Sequence, residues 1–182
     1  MSNEKSPSTS DSWADSIRCP GLAVEAEGLA RSVEEISKRW AVLQYEAPRP
    51  CIWIVFIGGT GTGKSTVFNT LCGLPLSQTG IERPKTRGPI AYAYRGMSLE
   101  RGFPIPGIRV KKASPDASEE RRFTGQAGEI LIVEHDRKEI SHWILVDTPD
   151  LDSLEHDHRR MADDLFLMSD LVVFVTSQEK YA

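Results

Sequence analysis

The chain has 182 residues and a formal net charge of −4. That length carries one domain with a real core, and a slightly acidic balance without a basic block gives no direct signal for nucleic-acid binding. No apolar stretch approaches the ~20 residues of a membrane-spanning helix, and the N-terminal MSNEKSPSTSDSWADS lacks the apolar core of a secretory signal.

In chain order, residues 1–18 are rich in Ser and Asp and are expected to be disordered. Residues 19–46 form an amphipathic helix: Leu22, Ala26, Leu29, Val33, Ile36, Trp40 and Leu43 step by four and three and share one face. That face packs on its own domain or on a helical partner, in this chain or in a second copy. Ala47-Pro-Arg-Pro50 ends the helix. Residues 47–182 then alternate strand and helix. Cys51–Ile57 is a continuous apolar run suited to a central parallel strand. A helix follows over 64–72, then a strand at Pro89–Tyr94, and a long loop or insertion over 96–125 with Gly, Pro and charge but no period. Glu129–Glu134 and Trp143–Val146 read as strands joined through a polar turn around Asp136, Leu154–Met168 as an amphipathic helix, and Leu171–Val175 as a last buried-type strand near a sheet edge. The fold class is α/β with a mainly parallel sheet. Cys19, Cys51 and Cys72 form no CxxC pair and read as structural thiols of a reducing, cytoplasmic compartment.

Gly58-Gly-Thr-Gly-Thr-Gly63-Lys64-Ser65 fits G-x-x-x-x-G-K-[ST] in full. A strand delivers the loop, and its glycines let backbone N–H groups wrap phosphate oxygens. The helix that follows adds its positive dipole end. Gly58, Gly59, Thr60, Gly61, Thr62, Gly63, Lys64, Ser65 and Thr66 are the expected phosphate-binding residues. Lys64 reaches the β- and γ-phosphates and Ser65 ligates Mg2+. The dinucleotide fingerprint fails, because Lys64 stands where its third glycine belongs. Asp147, just past the apolar Trp143–Val146, is the expected acidic residue for Mg2+ at the phosphate edge of the sheet.

GGTGTGKS, then Thr86 in GIERPKTRGPIAYAY, then DTPD, resemble the first three signature motifs of translation-factor-class GTPases of the P-loop NTPase fold, over roughly residues 50–176. The look is nearest to the Era/TrmE-type and dynamin-like branches, since Thr86-Arg-Gly-Pro89 is similar to the Thr-Arg-x-Pro of dynamin-like proteins. The resemblance implies GTP and GDP as ligands, Mg2+ as cofactor, and a Thr86 hydroxyl on the metal whose backbone N–H senses the γ-phosphate. Thr79 is the competing threonine. DTPD carries Asp150 where the family has a glycine whose N–H contacts the γ-phosphate, so the Asp150 N–H takes that place and its carboxylate must turn away from the triphosphate. Leu151 stands where many GTPases orient the attacking water with glutamine, and Gly61 where a potassium-using branch has Asn or Ser. Slow intrinsic hydrolysis, stimulated by dimerisation or a partner, is expected. The guanine-reading [NT]-K-x-D occurs nowhere in the sequence, so guanine specificity rests on the resemblance, and the chain is expected to be the N-terminal part of a G domain, ending after its fourth core strand. An ATP-dependent P-loop kinase or ATPase, and a degenerate nucleotide-binding module without catalysis, are the alternatives.

His156 and His158 read as a solvated helix face, since i and i+2 side chains do not converge on one ion. Glu119–Arg122 reads as a solvated charge run, and Arg83, Arg87 and Arg95 as flanking cations that include a candidate arginine finger.

Overall fold

The computed structural model describes residues 23–79, 88–114, 123, 125–126, 128–150 and 156–177. Its elements are α1 (Ala23–Glu46), β1 (Ile52–Gly58), α2 (Lys64–Cys72), β2 (Ile90–Tyr94), β3 (Arg109–Ala113), β4 (Glu129–His135), β5 (Trp143–Asp147), α3 (His156–Leu167) and β6 (Leu171–Val175). A short 3-10 turn, Lys138–Ile140, precedes β5. The expected disordered stretch 1–18, Thr86, Leu151, Arg83 and Arg87 lie outside the described residues.

The six strands form one sheet in the order β3-β4-β2-β5-β1-β6. Four of the five pairings are parallel, and only β2 against β5 is antiparallel. The sheet is therefore mixed α/β and mostly parallel, the architecture expected of a P-loop NTPase. Alternation along the strands divides the core into two layers. Trp53 and Val55 of β1, Ala91 and Ala93 of β2, Ile130 and Ile132 of β4, and Ile144 and Val146 of β5 pack on one face, with Met161 and Leu165 of α3. Phe56, Ile90, Tyr92, Leu131, Val133 and Leu145 pack on the other, against Phe68 and Cys72 of α2. Burial of a side chain of Phe68's size contributes about 1.5–3 kcal/mol, which docks a helix of only nine residues. Its C-terminus is closed by the Gly73 N–H on the Asn69 and Thr70 carbonyls.

The long loop expected over 96–125 contains a strand, β3. Its sequence, RVKKA, has no apolar alternation, because an edge strand needs only one inward residue. Val110 packs inward, while Lys111 pairs with Glu129 at 2.9 Å and Lys112 with Glu134 at 2.9 Å. The strands β4 and β5, consecutive in the chain, are not neighbours: β2 lies between them. Leu171–Val175, expected as a buried-type strand near a sheet edge, is β6 at the edge of the sheet, and with no strand beyond it among the described residues Leu171 and Phe174 are exposed.

The chain divides into two compact units between Trp40 and Ala41. In the first, Lys38 pairs with Glu34 and Arg39 with Glu35 one turn away, and Leu29, Ile36 and Trp40 are exposed. In the second, Val42 and Tyr45, from the last turn of α1, are buried in the α3-side layer. The Tyr45 hydroxyl donates to the Leu99 carbonyl, and Arg49 stacks over the Tyr45 ring at 4.0 Å.

Beside this contact, Glu46 is held up to about pH 7 in its titration, first by burial and second by the nearby Asp170 carboxylate. Asp170 itself is fixed by the Trp53 backbone N–H at 2.8 Å. Between the ordinary value of 4.5 and about 7, the folded chain holds a proton there that the unfolded chain has lost. Stability from this group is therefore full below pH 4.5 and declines as pH rises through 7. Glu46→Gln is expected to raise the thermal midpoint at pH 8 and leave it unchanged at pH 4.5, as read by circular dichroism melts.

Candidate functional site

β1 runs into the glycine loop, and α2 starts on the other side of it at Lys64. At Gly58 an added Cβ would collide with the Val175 carbonyl oxygen, so only glycine lets β1 and β6 approach where the loop begins. At Gly63, φ is +89°, the left-handed region, and this residue caps α2. No side chain caps the helix there, which leaves its first-turn N–H groups free to bind an anion. The loop is closed on itself by Thr62, whose hydroxyl donates to the Gly59 carbonyl at 2.9 Å.

β5 lies parallel to β1 with Asp147 in register with Phe56. The next residue, Thr148, hooks its hydroxyl onto the Phe56 carbonyl at 2.8 Å. This places the Asp147 carboxylate under the start of α2. Lys64 Nζ donates to Asp147 Oδ1 at 2.7 Å and to the Thr148 carbonyl. Ser65 Oγ donates to Asp147 Oδ2 at 2.8 Å. Lys64 and Asp147 are almost fully buried, at 3% and 0% exposure, so this is an ion pair shielded from water and salt. Asp150 approaches the same ammonium at 3.9 Å and is half-exposed.

Gly59 to Thr66 line a cavity of about 60 Å³ together with Gln78, Thr79 and Asp150. The expected phosphate-binding residues are thus brought together, Gly58 closing the strand beneath them. The Asp150 carboxylate lies 3.9 Å from the Lys64 ammonium and lines the cavity. Thr79 lines the cavity; Thr86 falls outside the described residues. Of the flanking cations, Arg95 lies away from the loop, paired with Asp136 at 3.4 Å. The backbone of His156 and His158 is helical, within α3. A larger open groove of about 810 Å³ lies at the other end of α2, against Tyr92, His135 and Arg137, and contains none of the phosphate-binding residues.

One contact at the site falls on a residue the sequence does not single out. Ser77 is fully buried and its Oγ donates to Asp147 Oδ2 at 2.6 Å. Asn69 of α2 grips the Ser77 backbone on both sides: Ser77 N–H donates to Asn69 Oδ1, and Asn69 Nδ2 donates to the Ser77 carbonyl, each at 2.8 Å. A lone serine in LPLSQTG carries no period or spacing that marks it. Cys72, beneath the site, is buried in the α2-side layer; burial first, and the Asp147 charge second, push its thiol well above the usual range, which keeps it inert.

Ser65 and Asp147 supply oxygen donors alone, the set a hard cation such as Mg2+ accepts alongside water. Among the described residues no group of three His, Cys, Asp or Glu side chains gathers to hold a metal by itself. The oxygen donors of Ser65 and Asp147 fit a cation that takes the rest of its shell from phosphate and water.

A parallel strand, a glycine loop closed by a buried Lys–Asp pair, and a helix starting at the loop define a P-loop nucleotide-binding domain. The sequence profile of a family described as 50S ribosome-binding GTPase matches residues 53–182, and the chain belongs to that family. Comparison with curated proteins finds no match.

Proposed function

We propose that the chain binds Mg2+ and GTP at the 58–66 loop, hydrolyses the β–γ anhydride, and works as a molecular switch. The observation that carries this reading is the buried Lys64–Asp147–Ser65 cluster beneath an uncapped helix start. In this reading Lys64 leaves Asp147 for the β- and γ-phosphates, and the Gly59–Thr66 amides take the remaining phosphate oxygens. Ser65 and Asp147 hold Mg2+, the latter through water. The cation, when bound, neutralises charge building on the phosphate oxygens. Thr86 is the proposed second metal hydroxyl, beside Ser65, and the γ-phosphate sensor. The register supports its reach: Ile90 pairs with Asp147, and four residues span at most about 14 Å. GTP would order the segments around Thr86 and Asp147–Leu151, and hydrolysis would release them.

Asp150 bears on rate and affinity. Its carboxylate already attends Lys64 at 3.9 Å and must swing out for a triphosphate to enter. Leu151, where many GTPases orient the attacking water with glutamine, points to slow intrinsic turnover, stimulated by a partner or a second copy. The exposed Leu29, Ile36 and Trp40 support a helical partner through residues 22–43. The buried Cys72 accords with a cytoplasmic setting, where thiols stay reduced. Among the described residues no helix is long and apolar enough to cross a membrane.

The test is phosphate release from GTP by the full chain with Mg2+ and with EDTA. Turnover that needs both Mg2+ and Ser65 supports the reading. Equal turnover in EDTA, or turnover of ATP only in the presence of an acceptor, contradicts it and favours a kinase.

A further inference from the structure

The Asp147 carboxylate is held by three donors: Lys64 on Oδ1, and Ser65 and Ser77 together on Oδ2. If the proposed reading holds, one of the three is called away when nucleotide and metal bind, and a second is shared with the metal. The Lys64 ammonium goes to phosphate, while the Ser65 oxygen turns a lone pair to the cation and keeps its proton for Asp147. Ser77 is the donor that neither ligand claims. It is also the one whose backbone is fixed independently of the loop. Asn69 clamps its N–H and carbonyl from α2. The preceding residue, Leu76, is buried in the α2-side layer, and its carbonyl accepts the Phe123 N–H at 2.8 Å.

We propose that Ser77 is a positioning residue of the metal site. Its hydroxyl holds Asp147 Oδ2 when Lys64 releases the carboxylate and Ser65 is shared with the cation, so the carboxylate keeps the orientation in which it accepts from metal-bound water. This inference rests on the Mg2+-nucleotide reading above. A carboxylate left with the metal-shared Ser65 alone would rotate more freely about its Cβ–Cγ bond and hold the cation less well. Ser77 also stands two residues before Thr79, which lines the cavity. The hydroxyl thus ties the start of that segment to the metal acid.

The experiment uses the full chain loaded with a fluorescent N-methylanthraniloyl-GDP. Release of the nucleotide is followed in EDTA and across a Mg2+ titration, for wild type, Ser77→Ala and Ser77→Cys. The cysteine fills the buried space but donates weakly, so it reports on the hydrogen bond if the alanine variant fails to fold. Loss of one charge-assisted hydrogen bond is expected to raise the Mg2+ concentration for half-maximal retention about tenfold, with release in EDTA unchanged within about twofold. A Mg2+ midpoint equal to wild type in a folded variant overturns the role of Ser77. So does faster release in EDTA by the same factor, because that marks a loosened loop rather than a loosened carboxylate. A wild-type chain that takes up no nucleotide, or ignores Mg2+, instead removes the reading on which the inference rests, and is recognised before any variant is compared.

Discussion

Replacing Lys64 with alanine is expected to weaken GTP binding on the order of 100-fold or more. Truncating one partner of a buried, hydrogen-bonded charge contact costs about 2–5 kcal/mol, and each 1.4 kcal/mol is tenfold. Lys64 is well placed for such an effect because it is 3% exposed and held by Asp147 and the Thr148 carbonyl, so its ammonium meets phosphate with little water to displace. The same change leaves the fully buried Asp147 without its counter-charge. Two hydroxyls remain on Oδ2 to share the load, so a loss of about 2–3 kcal/mol in unfolding free energy is expected, somewhat below the usual cost of breaking a buried pair. A fluorescent-GTP titration and a urea melt of the same preparation separate the two effects. A variant that melts like wild type and still binds GTP tightly would show that the ammonium does not face phosphate.

Asp147→Ala is expected to be the most destabilising single change at the site. It removes the acceptor of Lys64, Ser65 and Ser77 at once and leaves an ammonium buried at 3% exposure. Breaking a buried pair from the acidic side costs about 3–5 kcal/mol. Asp150, 3.9 Å away, moderates this only in part, being half-exposed. Asp147→Asn keeps the shape and one acceptor oxygen but not the charge. It is expected to fold better than the alanine variant and still to lose the Mg2+-dependence of nucleotide retention. Urea melts order the variants by stability, and release of labelled GDP with and without Mg2+ reads the metal. A wild-type Mg2+ response in Asp147→Asn would place the metal acid elsewhere.

Legibility of the fold followed burial. β1 and β5 are central, buried on both faces, and stand out as apolar runs. Residues 64–72 are bounded by Gly63 and Gly73, and the helix matches that stretch. The strand β3 was hidden because its charges are satisfied across the edge by Glu129 and Glu134, which no local period records. The antiparallel insertion of β2 between β4 and β5 is equally silent in the sequence, since pairing partners are set by long-range packing rather than by the seven-residue link between β4 and β5. At the site, the spacing of Gly58, Gly63, Lys64 and Ser65 encodes backbone geometry and so is readable. Ser77 is not, because its meaning comes from a carboxylate 70 residues away. The orientation of Asp150 toward Lys64 is likewise a product of the fold: the substituted residue of DTPD is visible in sequence, but the direction of its side chain is not.

The 58–66 loop is proposed to hold the phosphates of a guanine nucleotide. Displacement of a fluorescent GTP analogue from the full chain in Mg2+, by GTP, GDP and ATP in turn, tests it most directly, with Lys64→Ala as the control. Displacement by GTP and GDP, none by ATP, and uptake of the analogue by Lys64→Ala weakened on the order of 100-fold are the expected results. Equal displacement by ATP, or uptake by Lys64→Ala that matches wild type, would contradict the proposal.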